Sequence, residues 1–176
     1  MKGMLEKIRP HFLKFGPQRF VFITVVLLII TDLMNSWYLK LYWVKKDYAQ
    51  MMMKLSIKQS GLLVEEFNPD TLAEMLAFLN NTFHFFLLII LANNLFFYFF
   101  YLRKRLWAQG FVLFYTLTAA LFSVTLIFDN AGLGSGWLIY NIVSIFMYIY
   151  LYFGVKVLRP ETTISKASPA RGKKAR

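Results

Sequence analysis

No cysteine occurs among the 176 residues. Disulfides, thiolate metal sites and a thiol nucleophile are therefore excluded. The absence carries no information about compartment. Histidine is almost as scarce, with His11 in a basic leader and His84 far along the chain. The topology derived below puts them on opposite sides of a bilayer, so they cannot share a haem. No metal-ligand spacing occurs elsewhere, and neither a metal nor a cofactor is expected. Charge is missing over two long stretches: the 18 residues from Phe85 to Leu102 and the 23 from Leu106 to Phe128.

What separates those stretches is the triplet Arg103-Lys104-Arg105. A helix crosses the hydrocarbon core with about 20 apolar residues. Three adjacent cations do not rest in hydrocarbon, so they mark water between two spans. The composition agrees: 58% of residues are hydrophobic and 19% aromatic, against about 45–50% apolar in soluble chains. A net charge of +11 raises the question of nucleic acid. Here the cations flank apolar runs and form no stripe on a soluble face, so no nucleic-acid partner is expected.

Along the chain, residues 1–19 form a basic cytoplasmic leader, read as a short interfacial helix broken near Gly16-Pro17. An apolar run starts at Phe20. A basic region followed by such a run resembles a signal peptide, but no small-x-small cleavage site follows and apolar character resumes to Trp43. The run is read as an uncleaved span, about residues 20–42. Residues 43–77 mix charges with Met51, Met52, Met53, Leu55 and Ile57. This segment reads as an outer helical hairpin, its first part extending span 1 to near Gly61. Asn68-Pro69-Asp70 supplies a capping Asn, a Pro at the first helical position and an acid in the first turn. A helix starting there continues into the second span, about 78–102. The third and fourth spans are about 106–128 and 137–157, with a Gly-rich turn between them. Residues 159–176 form a basic tail too poor in apolar residues to fold. The fold class expected is all-α, a four-helix membrane bundle.

Orientation follows from counting. With both termini cytoplasmic, the inner segments hold 15 of the 20 Lys and Arg, and the outer segments hold six of the nine acids. The positive-inside rule supports an N-in, C-in protein. Trp37, Trp43, Trp107 and Trp137 all fall near span ends, where amphipathic rings prefer to sit. Arg103, Lys104, Arg105, Lys173 and Lys174 are read as topogenic residues near lipid headgroups. Cations near an anionic leaflet each contribute about 1 kcal/mol of attraction.

Charge within a span is costly and points to function. Asp32 is the acid well inside a span. It shares one face of span 1 with Thr24, Thr31 and Asn35, all within about 100°. Asn80, Asn81, His84 and Asn94 share a face of span 2, while Asn93 points elsewhere. Asn141, Ser144 and Tyr148 make a stripe on span 4. From these, a polar site of Asp32, Asn35, Asn80, His84 and Asn141 is expected in the outer half of the bilayer. The bland reading is that such residues hold helices together, at about 0.6 kcal/mol per contact. The sharper one is a proton- or cation-responsive site on Asp32 and His84.

Other features carry less. The glycines at 132–136 lack the strand and Lys of a phosphate loop. Asn80-Asn81-Thr82 matches a glycosylation sequon but falls at the membrane surface in a helix. No catalytic arrangement stands out, and an enzyme acting on lipid is the weakest reading. The aromatic block Phe96 to Tyr101 is wide enough that some rings must face lipid. The Met51–Met53 patch suits a partner surface or packing on the helix that starts near Pro69. The leading expectation is a small multi-pass membrane subunit or scaffold that binds lipids or other membrane proteins, or associates with itself. The alternative is a small transporter or channel component using the polar site.

Overall fold

The computed structural model describes residues 2–64, 67–128 and 134–158. These form six helices: α1 (Lys2–Phe15), α2 (Pro17–Lys45), α3 (Tyr48–Gln59), α4 (Pro69–Leu102), α5 (Leu106–Phe128) and α6 (Ser135–Leu158). Four of them, α2, α4, α5 and α6, are long and apolar enough to cross a membrane. Of the Gly-rich turn at 129–136, residues 129–133 lie outside the described residues, as does the basic tail with Lys173 and Lys174, while Ser135 and Gly136 open α6.

Local chemistry sets the helix ends. Gly16 adopts φ +90° and hands the chain to Pro17 at the first position of α2, where a missing N–H costs nothing. α2 is not continued straight into α3. Asp47 takes a left-handed conformation (φ 48°), which ends one helix, while its carbonyl accepts from Met51 N at 3.0 Å and starts the next. α3 closes with Gly61 at φ 74°, Gly61 N bonding Lys58 O and Leu62 N bonding Ile57 O. That is the paired-bond C-cap in which glycine avoids a Cβ penalty. Asn68 caps α4, its side chain accepting from Asp70 N at 3.2 Å. α4 ends with the same C-cap built on Lys104 (φ 57°), with Lys104 N on Tyr101 O and Arg105 N on Phe100 O. The cationic triplet is thus a tight reversal, with the Arg103 guanidinium 4.4 Å above the Phe99 ring.

The four long helices surround one core. α2 borders α4 and α6, α5 borders the same two, and α2 and α5 face each other across the diagonal. α5 buries a stripe of Ala108, Val112, Thr116, Ala120 and Ser123. Small residues at this spacing allow close helix approach, and α6 packs most extensively on this face. α1 lies against α2 and α6, placing Phe12 in the core and His11 Nε2 3.1 Å from the Tyr150 hydroxyl. α3 packs on α2 and α4. Its Ala49, Met53 and Ile57 are buried, whereas Met51 and Met52 remain exposed. The Met patch therefore divides between packing and open surface. The aromatic block divides too: Tyr98 and Tyr101 are buried, Phe96 and Phe99 exposed.

Candidate functional site

The polar stripes of α2 and α6 turn inward, and that of α4 does so at Asn94, while Asn80 and His84 are half-buried and Asn81 is exposed. Thr24, Thr31, Asp32, Asn94, Asn141 and Ser144 are buried, and Asn93 is exposed. At the centre is Asp32, 5% exposed. Its Oδ2 accepts from the Tyr98 hydroxyl at 2.8 Å and from Asn94 Nδ2 at 3.1 Å, both on α4. Its Oδ1 accepts from the Tyr115 hydroxyl, which reaches across the diagonal from α5. One turn away, Asn35 donates to the Tyr148 hydroxyl at 3.1 Å and accepts from Tyr140 at 3.0 Å. Tyr140 also lies 3.3 Å from the Thr31 carbonyl. Asp32 and Asn35 of α2 thereby tie the other three long helices together. Among the described residues, all donors to Asp32 are neutral.

The residues expected to join this site do not all reach it. Asn80 accepts from Trp43 Nε1 at 2.8 Å, beside a Trp43–Phe83 stack of 4.2 Å. Asn80 and His84 precede Asn94 by 14 and 10 residues, or about 21 and 15 Å along α4. His84 is half-buried beside the Phe83 ring, 6.1 Å between centroids. Asp32 itself lies 15 residues from the start of α2 and 13 from its end, so it sits at mid-helix. Asn141 is 1% exposed, and neither of its amide atoms has a hydrogen-bond partner among the described residues. Asn94 and Tyr148, which lie on the expected polar stripes but outside the expected site, belong to it; Tyr98, Tyr115 and Tyr140 were not anticipated. Tyrosine in place of phenylalanine in mid-helix was the available signal, because a buried hydroxyl needs a partner.

An orphaned buried amide costs about 1–3 kcal/mol. Asn141→Leu is therefore expected to raise the thermal unfolding midpoint in detergent. Equal or lower stability would show that Asn141 is satisfied in the folded protein.

Asp32 also forms the floor of a crevice of about 240 Å³ between α2, α4 and α5. Asn35, Ser36, Asn94, Tyr115 and Thr118 line it near the carboxylate, and apolar residues such as Leu39, Leu87, Ile90, Leu91 and Phe122 form the rest. Among the described residues, Asp32 is the one charged side chain in that lining. The ring contacts joining α4 to α5 run from the 103–105 turn, through Phe97–Phe111, up to Tyr98–Tyr115 at the level of Asp32. Beyond that level Ile90 and Phe122, 54% and 44% exposed, flank the crevice. On the turn side of Asp32 the core is filled by Leu28, Tyr101, Ala108, Val112 and Leu151, each no more than 2% exposed.

An all-helical chain with four long apolar helices around a buried polar centre is a multi-pass membrane protein in class. No known family model, curated protein or solved structure is significantly similar to it.

Proposed function

We propose that this chain is a small integral membrane subunit that recognises a lipid or another membrane protein through its bundle. The observation that carries the reading is the buried Asp32 carboxylate at the floor of a one-sided crevice. A carboxylate at mid-helix is costly to keep in hydrocarbon. Packing alone needs no open space beside it. Recognition of a membrane component does.

The charge count supports an orientation with both termini cytoplasmic and α3 on the opposite side. There Met51, Met52 and Leu55, each 44–54% exposed, give an adaptable surface for contacts outside the bilayer. The packed core between Asp32 and the 103–105 turn favours a binding subunit over a one-chain conduit. A transporter or channel reading based on Asp32 would require partner chains to supply the rest of the path.

The test is native purification in mild detergent, followed by identification of bound lipid and protein. A component retained by the wild type and lost from Ala119→Phe, which fills the crevice wall, supports the reading. Proton or ion flux in liposomes holding this chain alone would replace it with the transporter reading.

A further inference from the structure

The occupant of the crevice can be assigned a chemical class. This step rests on reading the crevice as a recognition site. We infer that it takes the ammonium head of a single-chain lipophilic amine, seated at Asp32 with its hydrocarbon lying along the crevice towards the bilayer.

Three observations converge on this class. The first is charge. Asp32 accepts from Asn94, Tyr98 and Tyr115, and none of these donors carries a positive charge. A buried carboxylate held only by neutral donors leaves its charge uncompensated. A bound cation compensates it.

The second is valence. An ionised carboxylate offers about four acceptor positions. Oδ2 has two donors, whereas Oδ1 has one, from Tyr115. One position on Oδ1 is open to a further N–H donor. Asp32 itself lines the crevice beside Tyr115 and Asn94, so its carboxylate borders the open space. Ser36 and Thr118, also in the lining, supply hydroxyl acceptors for the other ammonium hydrogens.

The third is shape. The crevice holds about 240 Å³, below the roughly 300–1,000 Å³ of sites for drug-sized ligands. From Asp32 to Leu39 the α2 wall runs seven residues, or about 10 Å. A slender chain fits such a space and a bulky ring system does not. The apolar residues Leu87, Ile90, Leu91 and Phe122 line it, and exposed Ile90 and Phe122 flank it between α4 and α5. A ligand dissolved in the bilayer can enter there. A phospholipid headgroup is disfavoured, because mid-helix depth is hydrocarbon.

The test uses the full chain in a mild nonionic detergent, with n-dodecylamine as probe and equilibrium dialysis as the measurement. One saturable site per chain is expected. Asp32→Asn should weaken it at least tenfold, and n-dodecanol and n-dodecanoate should bind at least tenfold more weakly than the amine. Ala119→Phe fills the crevice that Ala119 lines and replaces neither Asp32 nor any of its three donors, so it keeps the test valid if Asp32→Asn does not fold; it too should abolish saturable binding. Unsaturable uptake, or equal uptake by wild type and Ala119→Phe, overturns the inference. Crevice-dependent binding of n-dodecanol in preference to the amine, or of a co-purifying membrane protein, overturns the amine assignment and leaves the recognition reading standing. No crevice-dependent occupant of any class overturns both.

Discussion

Asp32→Leu is expected to destabilise the bundle by about 2–5 kcal/mol, read as a lower unfolding midpoint in detergent. Two effects oppose each other. Removing a buried charge removes its desolvation cost, which favours the variant. It also leaves Tyr98, Asn94 and Tyr115 aimed at a side chain that accepts nothing. Each buried donor without a partner costs about 1–3 kcal/mol. Tyr98 is 1% exposed and Asn94 5%, so neither finds water without local opening. The donors are on two helices and converge on one point, so no small rotation re-pairs them all. We therefore expect the orphaned donors to outweigh the relieved charge.

The controls make the sign informative. Asp32→Asn keeps an acceptor oxygen, and hydroxyl groups rotate to suit it, so a change within about 1 kcal/mol is expected. The triple variant Asp32→Leu, Asn94→Leu, Tyr98→Phe removes the charge together with its two best-buried donors. Replacing both sides of a buried polar contact by apolar groups is often neutral or stabilising. That variant should unfold near or above the wild-type temperature. If Asp32→Leu alone unfolds like wild type, the network has no structural role. A stable triple variant that has lost amine binding would separate recognition from folding.

The contrast between what local patterns reveal and what they hide is clear at this site. The charge-free runs, the Asn68-Pro69-Asp70 start and the Arg103-Lys104-Arg105 reversal are local, so adjacent residues alone announce them. The inward turn of Asp32 and Asn94 follows from helical periodicity. Which residues meet across helices depends on antiparallel offset, and no local pattern encodes that. Asn80, His84 and Asn94 share one face of α4, yet Asn94 bonds Asp32 while Asn80 bonds Trp43. The aromatic block concealed Tyr98 for a different reason. Five aromatic neighbours dilute the meaning of one hydroxyl, although Tyr98 stands one turn from Asn94 and so reaches the same carboxylate. The break at Asp47 was equally hidden, since a left-handed Asp resembles any other charged residue in a mixed segment.

Gly154 is the least conspicuous residue with a large expected effect, lying unmarked in the apolar run of α6. A Cβ placed on it would fall 2.0 Å from Phe20 Cζ and 2.6 and 2.7 Å from Cε2 and Cε1. The Phe20 ring thus points end-on at the α6 backbone. Swinging it aside is obstructed, because Phe20 is 2% exposed and packs edge-on against Phe12 at 5.3 Å, with Tyr150 at 6.2 Å. Gly154→Ala should cost about 1–3 kcal/mol through overpacking, and Gly154→Leu more, by separating α2 and α1 from α6. Faster proteolysis of α1 should accompany the loss, since Phe12 and the His11–Tyr150 contact hold that helix against α6. Phe20→Ala alone should cost about 3–5 kcal/mol as a cavity. Combined with Gly154→Leu it exchanges one volume for another, so the double variant should be more stable than the sum of the two losses by at least about 1 kcal/mol. Strict additivity would mean that the ring and the glycine do not oppose each other in the folded protein. The contact lies on the closed side of the core, away from the crevice. Gly154→Ala should therefore keep saturable n-dodecylamine binding while folded, and loss of binding in a folded Gly154→Ala chain would show that the two halves of the bundle are coupled.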